Sequence, residues 1–511
     1  MSGDRPGSMT TKLEPPHTGS AIEVPVPVRA DRAVGVIVGS AAGDALGAGY
    51  EFGPPLDPAT PVQMKGGGAF AWEPGEWTDD TQMALAILTP LARGAADIEL
   101  IEAGFREWFD SGPADVGNQT RAVLGSTGPL VDAAARFTTG RPDDAAGNGS
   151  LMRTGPIALA HPGDPAAIAS LARRVSELTH PDPDCVDACV LWSVAIDHTI
   201  HHAPPSHEHW DWAQALRDAL PHLEEDRRSR WLALIDEAVD ASPLVFPKSG
   251  WVIHAFQAAL ATICSTPVPD APMAAAHLRL ALENAVRAGG DTDTVAAIAG
   301  SMLGARWGAT ALPFEWRRVL HGRRIYGEPA LVTADLERMA RLASNGGRSD
   351  VHGWPSSSSM VPHYEKDWPD RPRRVMFDGV EFGNVAALRD AIAGGANAVI
   401  SLCRMGTDEV PDHVEHHTLG LLDSTAEENP NLEFLLADTT DVIARLVEDG
   451  RHVFVHCVQA QNRTPTLASM WLARGDGVSA DEALDQAAAA LNRPKAFLAE
   501  AVVALQPVPG A

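Results

Sequence analysis

Cysteine is scarce in this chain, with five among 511 residues, an odd number and no Cys-x-x-Cys pair. At this size that excludes a disulfide scaffold and points to a reducing compartment. Cys185 and Cys189, four apart in a helical pattern, read as buried thiols. Aromatic side chains make up only 6%, with 3 tyrosines, so stacking surfaces are sparse and the Ala- and Leu-rich remainder favours helices over a sandwich or barrel. Basic residues are outnumbered 40 to 67, for a formal charge of −27. Such a surface repels phosphate backbones, and general nucleic-acid binding is not expected. No apolar run reaches the roughly 18 residues of a membrane span, and MSGDRPGSMTTKLEPPHTGS at the start has no signal-peptide core. A cytoplasmic protein is expected. Histidines in HEHWDWAQ and THPDPDCVDAC are scattered, without zinc-site spacing.

What is present is length and apolar content, 45% of 511 residues, enough for more than one domain with a substantial core. Residues 1–30 have a disordered composition. Over 31–345 the apolar faces of TQMALAILTPLAR, DCVDACVLWSVAIDH, SGWVIHAFQAALATI and DTVAAIAGSMLGARW predict an all-α domain. Residues 346–372, rich in Ser, Gly and Pro, read as a linker. Over 373–511 the texture changes. RRVMFDGVEFG, NAVISLCRM, VEHHTLGLLD and RHVFVHCVQ are short β-rich runs alternating with helical segments, the pattern of a small α/β domain with a largely parallel sheet.

Three acidic helix starts carry the chemistry of the first domain: GSAAGDALGAGYEF with Asp44 and Glu51, GEWTDDTQ with Thr78, Asp79 and Asp80, and RAGGDTDTVAAIAG with Asp291, Thr292, Asp293 and Thr294. Each alone reads as a helix cap, because Thr and Asp oxygens accept the free N–H groups of a first turn and favour the positive helix end. Together they offer more oxygens than capping uses. The adjacent carboxylates of Asp79 and Asp80 also repel one another unless a cation lies between them.

In this order the three segments resemble the ADP-ribosylglycohydrolases, including the type that activates dinitrogenase reductase. DVGNQTRAVL, GNGSLMRTGPIAL, the Thr179-His180-x-Asp182 segment and SGWVIHAFQAAL fit the same family. The resemblance implies an all-α fold with two divalent cations, Mg²⁺ or Mn²⁺, in a cleft. Thr78, Asp79, Asp80 and Asp293 would hold one, and Asp291, Asp293 and Thr294 the other. Glu51 would gate the site, with Glu51, Asp79 or Asp80 relaying a proton, while Asp44 braces the loop. Gly147, Asn148, Gly149, Ser150 and Met152 of the glycine-rich loop, with His180, would bind substrate. Residues by themselves also allow a plain loop and a helix-end histidine there.

In the second domain VFVHCVQAQNRTPT places Cys457 six positions before Arg463, between a strand and a helix. Such a loop aims N–H groups at an anion and activates a thiol, and the arginine fork grips two phosphate oxygens. A buried core cysteine and an exposed arginine are the plainer alternative. HC-x5-R-T after VFV, with SLCRMG and LLDSTAEENPNL upstream, resembles the tyrosine and dual-specificity phosphatases. The implied roles are Cys457 as nucleophile, Asp423 as general acid, Arg463 as phosphate clamp and Thr464 as helper of the leaving thiolate. Asn431 reads as a helix-start residue. Where that family commonly has glycine, this chain has Ala460, which is strained if the position needs φ > 0.

The expected function is metal-dependent removal of ADP-ribose from a modified protein or small acceptor, beside a second, phosphatase-like site for a phosphorylated substrate. The alternative is a non-catalytic module binding ADP-ribose or phosphate in one or both domains.

Overall fold

A computed structural model describes residues 24–204, 208–474 and 477–506. The expected disordered segment falls outside them as far as residue 23, but not beyond. Helix α1, Val26–Gly47, already starts at Val26, with a proline in its first turn. Proline there lacks only an N–H that no helix could pair, so Pro25 and Pro27 do not delay it. The other helices that build the first domain's site are α2 (Asp79–Leu91), α3 (Pro183–His202), α4 (Val252–Ser265) and α5 (Thr292–Trp307). Then come α6 (Phe314–Val319) and α7 (Thr333–Ser344). A two-residue antiparallel ladder, His321–Gly322 with Leu331–Val332, interrupts the helices before α7. Among the described residues no helix is long and apolar enough to cross a membrane.

The centre of this domain is the pair α1 and α5. Gly35, Gly39, Gly43 and Gly47 recur every four residues and form one stripe of α1. The stripe lies directly on α5: a Cβ on Gly304 would stand 1.9 Å from the Gly35 carbonyl oxygen, and one on Gly39 would stand 2.5 Å from that of Gly300. Backbone thus touches backbone, and Gly47 at the end of α1 abuts Asp293 at the start of α5. Around this pair lies one continuous core, in which the Trp192 indole of α3 donates to Ser301 of α5 at 3.0 Å and packs edge-on against Phe256 of α4.

The stretch expected to be a linker is folded onto the molecule. Trp354 lies between the Arg341 and Arg404 guanidinium groups, 4.9 and 4.4 Å from its ring. Helix α8, Val361–Asp367, follows, and the Glu409 carboxylate accepts the Met360 and Val361 N–H groups at its start. Serine-rich composition concealed this because the partners come from outside the segment.

The second part contains strands β1 (Arg374–Phe377), β2 (Val380–Asn384), β3 (Ala398–Ser401), β4 (Glu415–Thr418) and β5 (Val453–Cys457). They form one sheet in the order β1-β2-β5-β3-β4, with β1 antiparallel and the rest parallel. Alternate residues serve opposite faces: Ile400, Val453 and Val455 enter one cluster with helix α9 (Leu432–Glu448) and helix α10 (Arg463–Ala473), while Val399 and Phe454 enter another. Both faces are covered, as a parallel sheet requires.

Candidate active site

Helix α2 begins without help from its own N-cap residue, since the Thr78 side chain makes no cap bond. Asp44 of α1 supplies the cap. Its carboxylate accepts the Thr78 N–H at 2.9 and 3.1 Å, the Thr81 N–H at 3.0 Å and the Thr81 hydroxyl at 2.6 Å. Asp79 and Asp80 are thereby released from capping duty, and the sequence-level assignment of the cap to GEWTDDTQ moves to Asp44. Asp80 Oδ2 lies 3.4 Å from the Thr78 hydroxyl and 3.3 Å from that of Thr294, while Oδ1 is buried with no partner.

The three acidic segments converge. Oxygens of Glu51, Asp291 and Asp293 lie within 4.8 Å of one another, beside the buried Asp79 and Asp80. Burial raises the pKa of Asp79, Asp80 and Asp293 well above the carboxylate range, and neighbouring carboxylates add to it. Glu51 is pushed up to about 9, first by desolvation and then by Asp291, Asp115, Asp79 and Asp44. Its Oε2 is likewise buried without a partner. A protein interior does not collect unpaired carboxylates without a compensating charge. The donor set, all carboxylate and hydroxyl oxygen, suits a hard divalent cation.

The glycine-rich loop runs beside this cluster. The Asn148 amide donates to Asp291 Oδ2 at 2.7 Å and to the Ser249 carbonyl at 2.9 Å, orienting a carboxylate of the cluster. Gly147 pairs with Trp251 and lines a cavity of about 500 Å³ with Lys248, Trp251 and His254. Gly149 faces His180, whose ring carbon would be 3.0 Å from a Cβ there. Ser150 and Met152 turn inward: Ser150 accepts from Ser176 at 3.0 Å and from the Cys189 thiol, and Met152 is core. His180 is buried, and burial together with Arg153 pushes its pKa down to about 3. Thr179 Oγ1 accepts from Arg153 at 2.5 Å and contacts His180 Nδ1 at 2.8 Å. Burial keeps the ring neutral, with its Nε2 facing Gly147 and Gly149.

Two further contributors were not singled out in the sequence. Arg153 is a fully buried cation over the Phe105 ring at 4.2 Å. Asp115 is a half-buried acid whose charge acts on Glu51 and Asp79. Both sit inside segments that fit the family, but a single Arg or Asp in a loop carries no spacing signal.

With this geometry established, comparison with known proteins decides the family. The ADP-ribosylglycohydrolase family profile matches residues 25–350. The chain belongs to the ADP-ribosylglycohydrolase family. It is 30% identical over 291 residues to the ADP-ribosyl-[dinitrogen reductase] glycohydrolase of Rhodospirillum rubrum, a match spanning 56% of this chain and 89% of that protein. It is 29% identical over 295 residues to the ADP-ribosylarginine hydrolase Tri1 of Serratia proteamaculans, spanning 56% and 74%. A solved structure titled ADP-ribosylglycohydrolase-related protein complex matches with a TM-score of 0.50 at 28% identity, over 63% of this chain and all of that one. The acidic cluster is therefore the active-site candidate of an ADP-ribosylglycohydrolase-type helical domain.

The second candidate site stands at the carboxyl end of β5, the central strand. Cys457 ends the strand and Arg463 begins α10. The Arg463 guanidinium donates to the Leu402 carbonyl and, at 3.3 Å, to that of Leu421, while its buried Nε has no partner. Asp423 pairs with Lys495 at 2.8 Å and accepts from Asn462 at 3.0 Å. Burial works to raise its pKa, but Lys495, Arg463 and Asn462 outweigh it and hold the carboxyl below its ordinary value. The Thr464 hydroxyl donates to the Gly383 carbonyl at 3.2 Å, so it braces β2 in this arrangement. Ala460 has φ = +53°, the left-handed conformation that a Cβ disfavours.

Proposed function

We propose that the helical domain hydrolyses ADP-ribosyl linkages, releasing ADP-ribose from a modified protein or small acceptor. The observation that carries this reading is the meeting of Glu51, Asp79, Asp80, Asp291 and Asp293, from three separate segments, with two buried carboxylate oxygens left unpaired. Two divalent cations, Mg²⁺ or Mn²⁺, would be held by Thr78, Asp79, Asp80, Asp291, Asp293 and Thr294, and would supply Lewis acidity and offset the negative charge. Hydrolysis breaks the bond from the distal ribose anomeric carbon to the acceptor, water adds to that carbon, and the acceptor atom leaves with a proton. Glu51, a partly exposed carboxylate beside Asp291 and Asp293, would carry that proton. The Gly147–Gly149 loop, backed by the neutral His180 ring, would line the ligand site, with the Asn148 N–H itself held by the Gly250 carbonyl at 3.2 Å. An arginine acceptor is favoured first, because relatives are ADP-ribosylarginine hydrolases and Asp115 adds a carboxylate beside the cluster for a guanidinium. The test is release of free ADP-ribose from arginine-, serine- and base-linked substrates with Mg²⁺ or Mn²⁺. Full hydrolysis by Asp293→Ala refutes the reading.

The C-terminal domain is proposed to hydrolyse a phosphate monoester. The supporting observation is the unpaired buried Nε of Arg463, six residues after Cys457 at the end of a central strand. The Cys457 sulfur forms a bond to phosphorus as the ester P–O bond breaks, and Asp423, protonated once the bound phosphate offsets the Arg463 and Lys495 charges that lower its pKa in the free protein, gives its proton to the leaving oxygen. Water then takes the phosphoryl group from sulfur. Loss of p-nitrophenyl phosphate hydrolysis in Cys457→Ser supports this. Phosphate binding without turnover on any monoester favours the binding-module reading, for which the strained Ala460 is the specific reason.

A further inference from the structure

Asn431 stands at the start of α9, yet its side chain makes no cap bond there. Its buried amide nitrogen donates across the domain boundary instead, to the Trp307 carbonyl and, at 2.8 Å, to the Thr310 hydroxyl. Thr310 passes the interaction inward, donating its hydroxyl to Asp31 Oδ2 at 2.7 Å and its N–H to Oδ1 at 3.2 Å. Trp307 and Thr310 flank Gly308, whose φ of +81° ends α5 and leaves room for the Asp31 carboxylate. The same turn meets the chain a second time: a Cβ on Gly420 would lie 2.7 Å from Thr310 Cγ2. Residues 419–431 therefore leave the sheet against Thr310 and return to it at Asn431.

That loop carries Asp423. It is internally tied by Asn429, which accepts the Leu422 N–H at 2.8 Å and donates to the Thr425 carbonyl at 2.8 Å. Arg463 holds it from the other side through the Leu421 carbonyl. Phosphate-cradle side and helical-domain side thus grip one short loop. A buried amide with fixed partners costs more to misplace than an exposed one, so the domain boundary sets where the loop can sit.

We propose that Asn431, acting with Thr310, is a positioning residue for the C-terminal site, so that the helical domain holds the loop that presents Asp423 to the leaving group. This rests on the phosphate-monoester reading above. Asp423 needs that placement because only a carboxyl aimed at the ester oxygen can protonate it as the P–O bond breaks. Helix α5, which ends at this anchor, carries Asp293 and Thr294 in its first turn, so one element borders both candidate sites.

The test uses the full-length protein and two esters. Phenyl phosphate, a poor leaving group, needs proton donation, whereas p-nitrophenyl phosphate departs with little help. General acid catalysis is worth about 10²–10⁴-fold, so Asn431→Ala and Thr310→Val are expected to lower kcat on phenyl phosphate by about tenfold or more. They are expected to leave p-nitrophenyl phosphate hydrolysis within about twofold, and Thr310→Ser, which keeps the hydroxyl, to restore the phenyl phosphate rate. Equal losses on both esters, or none on either, overturn the proposal. Hydrogen exchange separates this from the underlying reading. In Asn431→Ala the amides of residues 419–429 are expected to exchange faster while those of 453–457 stay protected. Unchanged exchange in the loop overturns the anchoring whatever the turnover. A wild-type protein that hydrolyses neither ester refutes the monoester reading, and with it the catalytic purpose of the anchor.

Discussion

At the scale of single residues, the division of labour between Asp44 and its neighbours matters most. Asp44 spends both oxygens on the first turn of α2, so Asp44→Ala removes a cap supplied from another helix. Loss of an N-cap costs about 0.5–2 kcal/mol, and here the loss is expected near the upper end, read as a lower urea midpoint at unchanged m-value. Ala460 offers the converse. A left-handed alanine costs about 1 kcal/mol relative to glycine, so Ala460→Gly is expected to stabilise the chain by about that amount in denaturant melts and to raise turnover at the second site. A drop in stability instead would mean that the Ala460 methyl contributes more through packing than its backbone conformation costs.

Elements explain how carboxylates so far apart in sequence meet. The glycine stripe of α1 allows α5 to approach until backbones touch, which sets the start of α5 against the end of α1. The resulting cluster makes stability depend on pH. Glu51 has a folded pKa of about 9 against an ordinary 4.5, so the folded state binds the proton more tightly. The stabilisation is complete at acid pH and is lost as pH rises from about 4.5 through 9. The metal-free protein is accordingly expected to melt at lower temperature at pH 8 than at pH 6. Mg²⁺ displaces those protons, so it is expected to raise Tm more at pH 8 than at pH 6. A pH-independent Mg²⁺ shift counts against the cluster as the binding site.

For the whole molecule, the two parts exchange aromatic side chains. Phe314 of α6 packs in the core of the C-terminal sheet, and Phe434 of α9 packs in the helical core. The Phe314 N–H also donates to Asp438 at 2.6 Å, and Arg318 pairs with Glu415. Emptying a buried aromatic site costs about 3–5 kcal/mol, and Phe434→Ala is expected to cost at least about 2 kcal/mol. Calorimetry is expected to show one transition for the wild type and two for Phe434→Ala, because the mutation weakens the junction more than either core. Two transitions in the wild type contradict the shared-core reading.

Sequence alone determined the helical texture of the first part, the strand–helix alternation of the second, and the residue types at both candidate sites. These follow from local periodicity and from motifs whose spacing survives in one dimension, such as GDTDT or HC-x5-R. The tertiary structure decided what depends on contacts across the chain. It assigned the cap of α2 to Asp44, brought Glu51 beside Asp291 and Asp293, turned Ser150 and Met152 inward, and added Asp115 and Arg153 to the neighbourhood. It also gave Asn431 a partner more than a hundred residues away instead of a helix to cap. A side chain's hydrogen-bonding partners are set by which backbones come close, and here that was settled by the glycine contact of α1 with α5 and by the packing of two cores against each other.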